Sequence, residues 1–268
     1  MNLFDFYERM PHIIDQILEQ LDNKSLIYCK EVAKSWKEYI DVKNVSWIKI
    51  VKIPEILQNG NTYLHISAST GQLKMFEIFL KDEEIKDPKN SYQETPFLLA
   101  CLNGHLNVAE IIMQKSAELN IDLNMKDYRG LTAFHLACKD EKLNVVDFLV
   151  QKSAEYNIAL NTKHLYGWTA FHLACNYGYS KMIEILLEKS LEYGIDINAK
   201  DIFGRTAFHM ACMNEKFLIV EMLIKKSVDY NIELNAKDRN GKTAFDFAHQ
   251  DIKLWMEMLS HKFNVQIF

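Results

Sequence analysis

The sequence predicts an all-α fold. A small three-helix unit at the N-terminus precedes a solenoid of helix pairs joined by β-hairpin loops. Three observations predict it. Four of the five cysteines, Cys101, Cys138, Cys175 and Cys212, are spaced 37 residues apart. The motif around them returns at the same step, as Thr132-Ala133-Phe134-His135, Thr169-Ala170-Phe171-His172 and Thr206-Ala207-Phe208-His209. Ahead of the repeats, Ile14, Ile17, Leu18 and Leu21 fall at i, i+3, i+4 and i+7, the apolar stripe of an amphipathic helix.

Bulk composition narrows the function classes. Of 268 residues, 31 are Lys or Arg and 36 are Asp or Glu, a net charge of −5. That balance argues against a nucleic-acid binder held by net charge. The apolar fraction, 49%, suits a folded soluble chain. No run approaches the ~18 apolar residues of a membrane span. Nor does the N-terminus read as a signal peptide. We expect a cytoplasmic or nuclear location, and no membrane or nucleic-acid partner.

Thr anchors at 62, 95, 132, 169, 206 and 243 give steps of 33 and then four of 37. A fixed period of this size means stacked supersecondary units, none able to bury its apolar face alone. Gly60, Gly130, Gly167, Gly204 and Gly241, each two residues before Thr, mark tight turns. Thr then caps a short helix, whose small Ala133 and Ala137 lie one turn apart so that neighbours pack closely. A second helix carries an apolar stripe, Leu143, Val145, Val146, Phe148 and Leu149 in one copy. A polar segment rich in Asn and Lys-Asp leads to the next turn.

This pattern resembles the ankyrin repeat, whose Gly-x-Thr-Pro-Leu-His-x-Ala-Ala signature stands here as Gly-x-Thr-Ala-Phe-His-x-Ala-Cys. The likeness covers about 57–260, six copies, the last serving as a cap. Only Pro96 keeps the family's proline. Leu98 and Asp246 stand where His is usual. Four extra residues per unit follow the second helix and read as an added helical turn.

His135 and Cys138, His172 and Cys175, and His209 and Cys212 lie three apart, a spacing that could offer two metal ligands. Two ligands per layer are too few for a closed zinc site. The resemblance gives His a supporting role at the Thr turn and Cys the place of a core Ala. We therefore expect buried thiols, no metal and no cofactor. No nucleophile elbow, phosphate loop or His-Glu-x-x-His motif occurs, so the chain reads as a non-catalytic binding protein.

The first forty residues resemble an F-box. The residues that carry the likeness are Met10-Pro11, Ile17-Leu18, Leu21, Leu26, and Cys29 through Val32 to Trp36. Met10 and Ala33 depart from the family pattern. The resemblance implies docking to the Skp adaptor of a cullin–RING ubiquitin ligase through Pro11, Ile14, Leu18, Leu21, Leu26, Val32 and Trp36. The division expected is an F-box-like domain over 1–40, a packed connector over 41–57 and repeats over 58–268. The function implied is a ligase subunit whose stack recognises a protein substrate. Two readings stay beside it: a non-degradative scaffold whose first helices only cap the stack, and a pathogen effector that mimics a host F-box protein.

Recognition in ankyrin-like units falls on the hairpin tips and the exposed end of the first helix. Those positions are Tyr128 and Arg129; Leu165, Tyr166 and Trp168; Ile202, Phe203 and Arg205; and Arg239 and Lys242. Tyr177 and Met213 are the helix-end candidates. Aromatic side chains at a tip have no core of their own to fill. They either pack on the neighbouring tip or form a contact hot spot, for which Trp, Tyr and Arg are enriched. Arg129, Arg205, Arg239 and Lys242 suggest a basic rim, suited to a partner with apolar anchors and some acidic character.

Overall fold

The computed structural model describes residues 58–80 and 87–267. The adaptor-contact residues expected at Pro11 to Trp36, and the connector over 41–57, lie outside these residues. The repeats form one compact unit, Asn59–Phe268.

Each layer is a helix pair. The first helices are α1 (Tyr63–Thr70), α3 (Pro96–Asn103), α5 (Ala133–Lys139), α8 (Ala170–Tyr177), α10 (Ala207–Met213) and α12 (Ala244–Phe247). Their partners are α2 (Leu73–Leu80), α4 (Leu106–Leu119), α6 (Leu143–Gln151) with the single turn α7 (Ser153–Tyr156), α9 (Ser180–Tyr193), α11 (Phe217–Lys225) and α13 (Gln250–Phe263). Each first helix packs on the first helix of the next layer.

The core follows from side-chain size. Ala133 and Ala137 are fully buried one turn apart on α5, and the same holds for Ala170 and Ala174 and for Ala207 and Ala211. Small residues there let backbones approach, while Phe134, Phe171 and Phe208 fill the space beside them. From the second helices, Val145, Val146, Leu149 and Val150 are wholly buried on α6, and Met182, Ile183, Leu186 and Leu187 on α9. Burial of each such aliphatic contributes about 1.5–3 kcal/mol.

The four extra residues extend α4 and α9 to 14 residues each. In the α6 layer the helix breaks at Lys152 and resumes as α7. In the α11 layer the helix stops at Lys225 and the chain turns through the same positions. These segments reach a left-handed residue, Asn120, Asn157, Gly194 or Asn231.

One expectation needs correction. The loops were expected as β-hairpins, but no strand forms among the described residues. Each tip closes on a single rung and one turn bond, as from Asp201 N–H to the Arg205 carbonyl at 2.9 Å and from Gly204 N–H to the Asp201 carbonyl at 3.0 Å. The Thr one residue beyond is already a helix cap, so a second rung has no residues to form it. One further N–H of each tip bonds sideways to the preceding tip. Tyr128 donates to Tyr92, Leu165 to Arg129, Ile202 to Tyr166 and Arg239 to Phe203, at 2.9–3.2 Å.

A second row ties the layers at their base. Asn124 Nδ2 donates to the Asn157 carbonyl at 2.8 Å, while its Oδ1 accepts from Ala159 N–H at 2.8 Å. Asn161 and Asn198 repeat both bonds one layer on each time.

Candidate interaction surface

The tips are built from the Thr-His pair outward. At the start of α8, His172 Nδ1 accepts from the Thr169 N–H at 3.2 Å and from the Thr169 hydroxyl at 2.9 Å. Its Nε2 lies 3.1 Å from the Arg205 carbonyl of the next layer. A backbone N–H can only donate, so Nδ1 is bare and the ring is the neutral Nε2–H form. His65, His135 and His209 repeat the arrangement onto Glu94, Trp168 and Lys242. Burial pushes His135 and His172 down to about 4. Both ring nitrogens are used by the fold, and Cys138, Cys175 and Cys212 are buried with burial pushing their thiols up.

Where His is missing, the cap changes chemistry. Thr95 Oγ1 accepts from the Leu98 N–H at 3.3 Å. Asp246 Oδ2 accepts from the Thr243 N–H at 2.8 Å and the Thr243 hydroxyl at 3.0 Å. A carboxylate can cap its own helix but has no proton for a further carbonyl.

Each tip turns around one polar hub. Asp127 Oδ1 accepts from the Arg129 and Leu131 N–H groups at 2.9 and 2.8 Å. Asp201 does the same for Phe203 and Arg205, and Asp238 for Asn240 and Lys242. The buried hubs also hold the arginines. Arg129 contacts Asp127 Oδ2 at 2.8 and 2.9 Å, and Arg205 contacts Asp201 Oδ2 at 2.7 and 2.9 Å. Burial would raise the Asp201 pKa, but Arg205 and the two N–H groups outweigh it and hold the carboxyl low.

The expected site residues therefore divide. Tyr128, Leu165, Tyr166, Ile202 and Phe203 are exposed, with Leu165 and Tyr166 about two-thirds exposed. Arg239 and Lys242 are exposed at the last tip, and Tyr177 is exposed at the end of α8, stacked on Tyr179. Trp168 takes the packed alternative of the two the sequence left open for the tip aromatics. It sits directly before the Thr169 cap and is half-buried, stacked on His164 at 5.6 Å, with its Nε1 3.3 Å from Asp201 Oδ2. The basic rim also narrows, because Asp127 and Asp201 already pair Arg129 and Arg205. Met213 is half-buried against Arg205.

Tyr92 was not among the sequence candidates. It is exposed, with its ring 5.8 Å from that of Tyr128. Its position three before Thr95 matches Arg129, Tyr166 and Phe203, a signal that counting back from the weaker Thr anchor would have found. With Tyr92, an exposed apolar strip crosses four consecutive tips. Among the described residues, no group of His, Cys, Asp or Glu is placed to hold a metal, and no helix is long and apolar enough to cross a membrane.

Comparison with known proteins agrees with this architecture. Two family models match, described as ankyrin repeats in three copies, over residues 41–127 and 119–201, and ankyrin repeats in many copies, over 191–248. The chain belongs to the ankyrin-repeat family. The first match begins at residue 41 and so takes in the 41–57 segment. No F-box domain is found. An 80-residue stretch is 32% identical to alpha-latroinsectotoxin-Lt1a of Latrodectus tredecimguttatus, covering 30% of this chain and 6% of that protein. The chain thus matches only a small fraction of that relative's length. Ankyrin repeats suggest a protein-protein interaction role, and proteins built from them are typically non-catalytic.

Proposed function

We propose that this chain is the substrate-recognition subunit of a cullin–RING ubiquitin ligase. Its tips capture a protein substrate, and residues 1–40 dock a Skp-type adaptor. The observation that carries the capture half is the exposed strip Tyr92, Tyr128, Leu165, Tyr166, Ile202 and Phe203, standing on a rigid, cross-bonded stack. A row of apolar side chains in water, with no core to fill, is the usual mark of an interaction surface. The docking half rests on the spacing of Pro11, Leu18, Leu21, Leu26, Val32 and Trp36 alone. A cytoplasmic or nuclear location goes with this reading.

Affinity capture of the full chain tests both halves. Wild type should co-purify with a Skp adaptor and a cullin, and Pro11→Ala with Leu18→Ala should lose them while keeping the substrate. Unchanged adaptor recovery in that double variant would remove the ligase assignment and leave an ankyrin scaffold.

A further inference from the structure

A row of lysines accompanies the apolar strip. Lys89, Lys126, Lys163, Lys200 and Lys237 are each 37 residues apart, and each is exposed one residue before the residue whose side chain accepts from its tip, Asn90, Asp127, His164, Asp201 or Asp238. Lys126 Nζ lies 3.3 Å from the Lys163 carbonyl, Lys163 Nζ 2.7 Å from the Lys200 carbonyl, and Lys200 Nζ 3.5 Å from the Lys237 carbonyl. Each of these three ammonium groups therefore reaches across one layer and is held in register. A single carbonyl satisfies one of three protons and neutralises no charge. Among the described residues none of these five lysines forms an ion pair, whereas Arg129 and Arg205 do.

Lys126 and Tyr128, Lys163 and Leu165, and Lys200 and Ile202 are two residues apart, so their Cα atoms are at most about 7 Å apart. A basic row and an apolar row thus run side by side along the stack with the same period. We infer that the partner segment is an extended acidic stretch of protein, with a carboxylate at every third position and apolar residues between. The inference rests on the tip-capture reading and names its ligand class.

The period follows from geometry. Packed helices lie about 8–10 Å apart, which sets the layer spacing. A polyproline-II segment has three residues per turn and rises about 3.1 Å per residue, so every third side chain returns to one side after about 9 Å. One carboxylate then meets one lysine per layer. Nucleic acid fits less well. The same loops expose Asp122, Asp196 and Glu233 four residues before a lysine, and a continuous phosphate chain would meet these too. Spaced carboxylates with apolar neighbours meet the lysines and the strip alone.

Fluorescence anisotropy of the full chain with three labelled probes tests this. The first is a 15-residue peptide with Glu at every third position and Leu or Tyr between. The second has the same composition with its Glu residues moved to every second position over the first nine residues. The third is single-stranded DNA of equal charge. The first should bind at least about tenfold tighter than the others, and weaken steeply with salt because the contacts are exposed. Lys163→Gln with Lys200→Gln should cost it about tenfold, with thermal unfolding unchanged. Equal binding of the two peptides, equal binding of DNA, or indifference to the lysine changes would overturn the inference. Loss of binding in Tyr166→Ala with Phe203→Ala but not in the lysine variant would keep tip capture and remove the acidic partner. Tight peptide binding that neither variant alters would remove both.

Discussion

His172 joins two layers with one ring: Nδ1 accepts from Thr169 at the cap of its own helix, and Nε2 lies 3.1 Å from the Arg205 carbonyl of the next tip. Protonating Nδ1 would set two donors face to face and add a buried charge, so burial and bonding both demand the neutral ring.

Stability should therefore fall with acid. His135 and His172 are held at about 4 when folded, against about 6.5 unfolded. Between those values the unfolded chain binds protons that the folded chain does not. The stabilisation is complete above about pH 6.5 and is lost as pH falls toward 4, by up to ~1.4 kcal/mol per unit for each ring. His65 and His209, also lowered by burial, act in the same direction. Asp87, raised to about 6 by burial, opposes them with one proton. The net sign stays positive, and urea midpoints at pH 7 and pH 5 should show the loss. His172→Asn should be less stable at pH 7 but show a shallower pH dependence. An unchanged slope would mean that the ring is not buried neutral.

Glycine substitutions should separate backbone strain from layer contact. Gly167 has φ +79°, and a Cβ there would sit 2.7 Å from the Ile202 nitrogen, the donor that links the tips. Gly241 has φ +77° with nothing within 4 Å. Both Ala variants carry the left-handed cost of about 1–2 kcal/mol. Only Gly167→Ala must also push two layers apart, so it should lose clearly more in chemical denaturation. Equal losses would mean that the tips are not coupled.

The repeat period was legible because it requires only counting, and the packing of Ala133, Ala137 and Cys138 followed from it. The tip surface was half legible. Residue type showed that Tyr166 and Phe203 had no core to fill. It did not show that Trp168, two residues past Tyr166, turns back onto His164. Nor could type alone show that Arg129 and Arg205 are held by their own hubs, because that depends on where a buried carboxylate stands after the turn closes. The absence of strands was equally hidden, since a one-rung hairpin and a longer one share the same Gly and Thr.

Thiol chemistry gives a third check. Cys101, Cys138, Cys175 and Cys212 are fully buried, and burial pushes their thiols up, so they lack both access and thiolate. In a Cys29→Ser background the native chain should resist a thiol reagent and react four times only on unfolding. Cys175→Ala should cost less than ~1.5 kcal/mol, since the change leaves only a small void. Rapid labelling of any of the four in the native state would contradict the packing.

The tip residues should split into two classes by what their loss affects. Trp168→Ala removes the ring stacked on His164 and the indole donor beside Asp201, a carboxylate that also fixes the next tip. Losing a half-buried aromatic with a polar partner should cost on the order of 2 kcal/mol of stability. Tyr166 and Phe203 are largely exposed, and their nearest ring contacts are His164 and Arg205. Tyr166→Ala with Phe203→Ala should leave the unfolding midpoint within about 0.5 kcal/mol of wild type, as for ordinary surface changes. The same double variant should lose most partners in proximity labelling, because exposed aromatic anchors dominate such contacts. If the double variant unfolds early, the two rings belong to the fold. If it is stable and labels the same proteins as wild type, recognition lies off the tips. The outer helices, where Leu218 is three-quarters exposed, would then be the surface to test.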